Sequence, residues 1–223
     1  DQQGQHLSSV TIYEVTTGRE ISLEAPLFSD CTGDGTIGAL AGADCRMGRE
    51  GRSEFNESYA PEKPDSLVMG ASVQWYSEPM RKKTSFPAFD YGLTFNESNA
   101  EHVYKGEWTW ETGMNRNQIT DAERIRDYGL LVVFSNWSWL KNHDSTSGEY
   151  ARRQLRWAAY VLGKRESRRL MGDYILSQQD IDKDMWHEDA SFTTTWAIDL
   201  HFADSVNETH FPGEAFKTRT IHR

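Results

Sequence analysis

Asp30-Cys31-Thr32-Gly33-Asp34-Gly35-Thr36-Ile37-Gly38-Ala39-Leu40-Ala41-Gly42-Ala43 carries the strongest signal in the chain. It reads as the end of a strand, a glycine turn and a helix of small residues. Leu27 and Phe28 make the strand, over 27–30, apolar. Gly33 and Gly35 let the backbone turn sharply and come close to another group. The helix, over 36–43, has only small or aliphatic side chains from Ile37 onward, so it can lie flush on a sheet or a ligand. Asp34 falls where a carboxylate meets free first-turn N–H groups, or where it accepts from a sugar hydroxyl.

Outward from this turn the chain alternates short apolar runs with polar loops. Residues 10–24 alternate around Thr17-Gly18 and predict a β-hairpin. Strands are predicted over 67–76, 103–111, 157–162, 168–176 and 192–201. The clearest helix starts at Thr120, where Thr120-x-x-Glu123 forms a capping box and Asp121 adds first-turn charge. Ile125, Tyr128, Val132 and Trp139 fall near one face of it, through Lys141. A short helix is predicted over 149–155. The fold class is α+β, with mixed and antiparallel strands around one long helix and no internal repeat.

A chain of 223 residues can bury a core as one domain, or one domain plus a lobe. Its 37% hydrophobic content and mean hydropathy of −0.71 suit a surface-rich piece. A net charge of −10 argues against a nucleic-acid partner. No apolar run is long enough to span a bilayer, and no signal peptide stands at the start. Cys31 and Cys45 read as free, partly buried thiols. Asn56, Asn96, Asn136 and Asn207 begin N-x-S/T sequons, which matter only in a secreted eukaryotic protein.

Several motifs stand in a fixed order. After the Asp30–Gly35 turn come Gly48-Arg49-Glu50-Gly51-Arg52 and Gly106-Glu107-Trp108-Thr109-Trp110-Glu111-Thr112-Gly113. Then come Gly163-Lys164-Arg165-Glu166-Ser167-Arg168-Arg169-Leu170-Met171-Gly172-Asp173-Tyr174 and Trp196-Ala197-Ile198-Asp199-Leu200-His201. This ordered set resembles FAD-dependent oxidoreductases with the glutathione-reductase-like two-dinucleotide fold, in a branch found largely in bacteria that degrade polysaccharides. The resemblance spans most of residues 10–223. It implies FAD as cofactor and hydride transfer between an organic substrate and the flavin. It places Thr32, Gly33, Asp34 and Gly35 against the cofactor, through backbone N–H groups at the first three. It also implies that residues 1–50 are part of an α/β FAD-binding domain and that residues 51–223 form a substrate lobe. In that family a first glycine-rich pyrophosphate turn, on its own strand, comes ahead of the hairpin. No G-x-G-x-x-G motif of that kind is read in the chain, which therefore reads as the middle portion of a longer flavoprotein. Its partners are then the remaining parts of that protein and a small-molecule substrate, with sugar-derived compounds among the classes left open. The wider family includes iron–sulfur members, but two cysteines cannot hold a four-cysteine cluster, and no metal site is expected.

Three further constellations bear chemistry. In Lys164–Arg169, strand alternation would put Arg165 and Ser167 on one side and Glu166 and Arg168 on the other. Arg165 and Arg168 are candidate substrate-holding cations, against a reading in which Glu166 pairs with an Arg inside the lobe. Asp199 and His201 share a strand face, and His201 is a candidate for moving a proton or holding charge near the ring. The candidate catalytic residues are thus Arg165, Arg168 and His201. Trp108, Trp110 and Glu111 suggest an alternative, a carbohydrate-binding or polysaccharide-lyase-type protein whose tryptophans stack on sugar faces. On the oxidoreductase reading, at least one of these rings packs against the helix that starts at Thr120.

Overall fold

The computed structural model describes residues 2–3, 6–193, 196–203, 213 and 217–222. Its apolar core is built along one long helix. In chain order the elements begin with β1 (Gln2–Gln3), β2 (His6–Leu7), β3 (Ser9–Glu14) and β4 (Arg19–Glu24). Next come α1 (Thr36–Leu40), β5 (Cys45–Arg46), α2 (Arg52–Phe55), β6 (Ala71–Ser72), β7 (Trp75–Pro79), β8 (Lys105–Gly106) and β9 (Glu111–Thr112). Then follow α3 (Ala122–Asn142), α4 (Ser147–Tyr150), β10 (Arg153–Ala158), β11 (Arg169–Leu170), α5 (Gln178–Asp182), β12 (Asp199–Ala203) and β13 (Lys217–His222). Among the described residues all strand pairs are antiparallel, in five two-stranded ladders and one three-stranded sheet of order β10-β7-β8. This is the expected α+β class. Among the described residues no helix is long and apolar enough to cross a membrane.

Helix α3 buries Ile125, Gly129, Val132, Val133, Trp137 and Leu140, a spacing of three and four that keeps one stripe inward. Gly129 is needed because a Cβ there would meet Val73 Cγ2 at 2.7 Å. The stripe feeds two clusters. Val133, Trp137 and Leu140 pack with Val73, Trp75, Tyr150 and Ala159. Val132 packs with Phe95 and Trp110. Trp110 is therefore buried against this helix, as expected for one of the two tryptophans. Asn136, one of the sequon residues, is buried too, and its amide exchanges hydrogen bonds with the Glu101 backbone.

The entry into α3 differs from the capping box predicted at Thr120. The N-cap position is Asp121, and no side chain caps it. Asn117 organises the approach instead: its Oδ1 accepts from the N–H groups of Ile119 and Thr120. An Asx turn has taken the place of the Thr–Glu exchange. The capping box that does form is at α5, between Ser177 and Asp180.

Several predicted strands are shorter or absent. Residues 27–30 are not a strand, because Asp30 spends its carboxylate on local backbone N–H groups and no strand among the described residues pairs with them. The helix after the turn ends at Leu40, not Ala43. Gly42, at φ 82°, closes it in a Schellman motif, with Gly42 N–H to Ala39 C=O and Ala43 N–H to Gly38 C=O. The 67–76 run splits into β6 and β7, and the 103–111 run into β8 and β9. The helix predicted over 149–155 is α4 followed at once by strand β10. The strand predicted over 157–162 lies earlier, as β10 itself. Only Arg169–Leu170 of 168–176 and Asp199–Ala203 near the end of 192–201 pair as strands. The hairpin β3–β4 forms as expected, in register from Ser9↔Glu24 to Glu14↔Arg19. Cys31 and Cys45 are free but exposed, not partly buried. Asn207 lies outside the described residues.

At the far end of α3, Lys141 is buried, and its ammonium donates to Thr84 Oγ1 and to the carbonyls of Tyr150, Ala151 and Arg153 at 2.7–3.3 Å. Burial pulls its pKa below the usual lysine value. The contacts lock α3 to α4 and to the start of β10. Lys141→Met keeps the aliphatic stem and orphans the carbonyls. It is expected to lower unfolding free energy by about 2 kcal/mol or more, read from urea denaturation, since each buried acceptor left unpaired costs about 1–3 kcal/mol. A loss under about 0.5 kcal/mol would show that water replaces the ammonium there.

Candidate active site

Ser72 sets the geometry of the site. On one side β6 pairs with β9, with Ser72 opposite Glu111. On the other, Ser72 bridges Gly163, N–H to C=O in both directions, at 3.1 and 2.9 Å. Segment 164–168 thus lies one strand away from Glu111. It is not itself a strand, and the expected two-sided alternation does not hold. Arg165 turns to Glu111, whereas Ser167 and Arg168 both turn to Asp34.

Glu111 is fully buried. Its Oε1 accepts from Arg165 Nη1 at 2.9 Å, and its Oε2 lies 2.6 Å from His201 Nδ1. His201 Nε2 lies 3.2 Å from Asp199 Oδ2, so the predicted shared face of Asp199 and His201 is real. A carboxylate only accepts, so both contacts are hydrogen bonds when both ring nitrogens carry hydrogen. Arg165 Nη1 is 3.3 Å from both ring nitrogens, a place beside the ring rather than on either lone pair. The same guanidinium lies 5.3 Å from the centre of the Trp108 ring. Two carboxylates, one guanidinium and one imidazole therefore meet in one cluster, and the His201 side chain is only 4% exposed. Trp108 is half exposed beside it, while Trp110 is buried and unable to stack on a sugar.

The glycine turn docks on the same segment from the other side. Asp34 Oδ2 is ion-paired to Lys164, and its Oδ1 accepts from Ser167 Oγ at 2.7 Å. Arg168 Nε donates to the Asp34 carbonyl at 2.9 Å. Burial alone would raise the Asp34 pKa. The hydrogen bonds from Lys164 and Ser167, with the charges of Lys164 and Arg168, outweigh it and hold the carboxyl below its ordinary value. Arg168 is thus placed on the turn, away from Arg165 and His201. Thr32 turns its N–H inward to Asp30 Oδ1 at 3.0 Å, and its hydroxyl bridges Asp30 and the Thr36 N–H. Asp30 Oδ2 takes the Gly38 N–H at 2.9 Å, and that bond, followed by those from Thr32, lowers its pKa.

The expectation that the chain holds no G-x-G-x-x-G motif is corrected at this turn. Gly33, Gly35 and Gly38 have the G-x-G-x-x-G spacing of a dinucleotide fingerprint. The first two have positive φ, 82° and 61°, and the third lies under Leu170, where a Cβ would stand 2.5 Å from Cδ1. The strand that should precede the fingerprint is missing, and α1 has five residues. Around Gly33 the space is open, since a Cβ added there would have nothing within 4 Å. The turn therefore has room for a ligand segment at Gly33–Asp34, while Thr32 and the Asp34 carboxylate hold the turn itself.

A model of the FAD dependent oxidoreductase family matches residues 1–218. The chain belongs to the FAD-dependent oxidoreductase family. A search of curated proteins and a search of solved structures gave no match. Family membership gives the cofactor as FAD and the activity class as oxidoreduction. In this oxidoreductase the glycine turn and the Glu111–His201 cluster hold opposite sides of one six-residue run, Lys164–Arg169.

One ion-pair group, centred on Arg169, and a strand pairing brace that run. Arg169 pairs with Glu166 and Glu50 and donates to the Gly48 carbonyl, and β11 pairs with β5. Glu166 also accepts from the Met69 N–H at 3.0 Å. The sequence reading in which Glu166 pairs with an Arg inside the lobe is met by Arg169.

Asp34 should show its role in acid. A carboxyl with a lowered folded pKa contributes stability that is present above its ordinary value of 3.8 and lost as pH falls through the folded value. The stability gap between the native chain and Asp34→Asn is expected to be constant from pH 7 to about pH 5 and to shrink only below pH 4. Urea denaturation of both proteins at pH 7 and pH 3 measures it. A gap unchanged at pH 3 would show that the Lys164 and Ser167 contacts do not depend on the charge.

Proposed function

We propose that this oxidoreductase transfers a hydride between an organic substrate and FAD, with residues 1–50 on the cofactor side and residues 51–223 forming the substrate lobe. Bound FAD supplies the hydride acceptor or donor. The observation that carries the reading is the buried Glu111–His201–Asp199 chain beside Arg165. A histidine fixed at both nitrogens and flanked by a guanidinium is a device for holding a proton and positive charge at one point.

The roles divide as the contacts do. Gly33, Asp34 and Gly35 would hold FAD by backbone, with Thr32 shaping the turn from within. Arg165 and His201 face the reacting centre. Glu111 is their positioning residue, because it binds both and is sealed from water. Arg168 acts as a positioning residue for the turn through the Asp34 carbonyl. His201 Nε2, beside Asp199, is the ring nitrogen placed to exchange a proton with a substrate heteroatom.

The test separates binding from chemistry. In flavin-loaded protein, Gly33→Val should lower flavin content at least about tenfold, because a β-branched residue is strained at that positive φ and intrudes on the open side. His201→Gln should leave flavin content within about twofold and slow substrate-dependent bleaching of the flavin band by about 100-fold or more. Flavin absorbance after gel filtration and anaerobic stopped-flow mixing give the two readings. Flavin loss in His201→Gln with no defect in reduction would make His201 structural.

A further inference from the structure

A cleft of about 370 Å³ opens beside His201 and Asp199, within the range of small-molecule sites. Its wall is mainly apolar: Val68 and Met114 are buried at its back, Met69 and Ile198 flank it, and Leu176 and Ile181 stand exposed at its rim. Its charged groups are committed elsewhere. Arg49 is bidentate to Asp65, Glu50 and Glu166 are held by Arg169, and Glu57 Oε1 accepts the Gln178 N–H at 2.7 Å. Asp199 faces the His201 ring.

Two consequences follow from the chemistry of this wall. Arg49, which lines the cleft, and Arg169, which pairs with Glu50 and Glu166 of its wall, are each already held by carboxylates, so neither is offered to an anion. A polyol needs many hydrogen-bonding partners, and a wall whose charged groups outside the Asp199–His201 pair are already held leaves most of its hydroxyls desolvated and unpaired. An apolar molecule meets neither obstacle and gains from burial against Val68, Met69, Met114 and Ile198.

We propose that this cleft binds a neutral, mainly apolar small molecule, with a single polar group directed to His201 and Asp199, and that it excludes sugar acids. The proposal rests on the reading of His201 as the reacting end of the site. It names the substrate class of that site and departs from the sugar-derived class left open by the sequence.

The test uses the 223-residue chain and needs no flavin. N-phenyl-1-naphthylamine, a neutral aromatic amine whose emission rises in apolar surroundings, is titrated into the protein. Saturable binding at one probe per chain is expected. Leu176→Asp and Ile181→Asp, both at exposed rim positions where folding is retained, should each weaken it about tenfold, since the added carboxylate is desolvated by the bound ring. Circular dichroism melts confirm the fold of each variant. Galacturonate at millimolar concentration should fail to displace the probe. Binding that does not saturate, binding indifferent to both rim changes, or displacement by galacturonate would each overturn the proposal. Displacement by free FAD would overturn it as well, by making the cleft a cofactor site. Failure of the flavin reading shows instead in flavin content that does not respond to Gly33→Val, a result that leaves the probe titration untouched.

Discussion

Glu111 is the constraint around which the site is assembled. A fully buried carboxylate is tolerated only when it is paired and hydrogen-bonded. Its partners come from residues 165 and 201, far along the chain, so satisfying one side chain fixes how three segments meet. Ser72 does the same for the backbone, standing between Glu111 and Gly163. Once these bonds are made, Arg165 has little choice of direction, and Lys164, Ser167 and Arg168 are left to face the glycine turn.

Asp34 closes the other half of the arrangement. Its carboxylate and its carbonyl together take three side chains from 164–168, so polar contacts dock the turn on that segment, with Leu170 over Gly38 as the apolar contact. Those contacts fix the direction of the turn while leaving open space at Gly33. The apolar core lies apart, along α3, and Lys141 ties its far end to the sheet that carries β10 and β7.

The chemistry of the cluster follows from burial more than from the identity of any one residue. In water, an arginine, a histidine and two carboxylates would interact weakly. With Glu111 sealed off and His201 nearly so, each contact is made in a medium that screens little, and losing one partner leaves an uncompensated charge. The same burial separates the two tryptophans. Trp110 is a core residue beside Phe95 and Val132, whereas Trp108 lies beside the Arg165 guanidinium at the edge of the site.

Local pattern alone sufficed for the hairpin at β3–β4, for the buried stripe of α3 and for the pairing of Asp199 with His201. Each depends on residues a few positions apart, where alternation or helical spacing fixes which side chains share a face. It failed where the outcome depends on distant partners. The strand expected over 27–30 has no ladder to join among the described residues, the Thr120 cap lost to Asn117, and the predicted alternation of Arg165 with Ser167 gave way to pulls from Glu111 and Asp34. That Glu111 would serve Arg165 and His201 together was not written in any local pattern. Its role arises from desolvation, and which groups lose their water is settled only when segments far apart in the chain close around them.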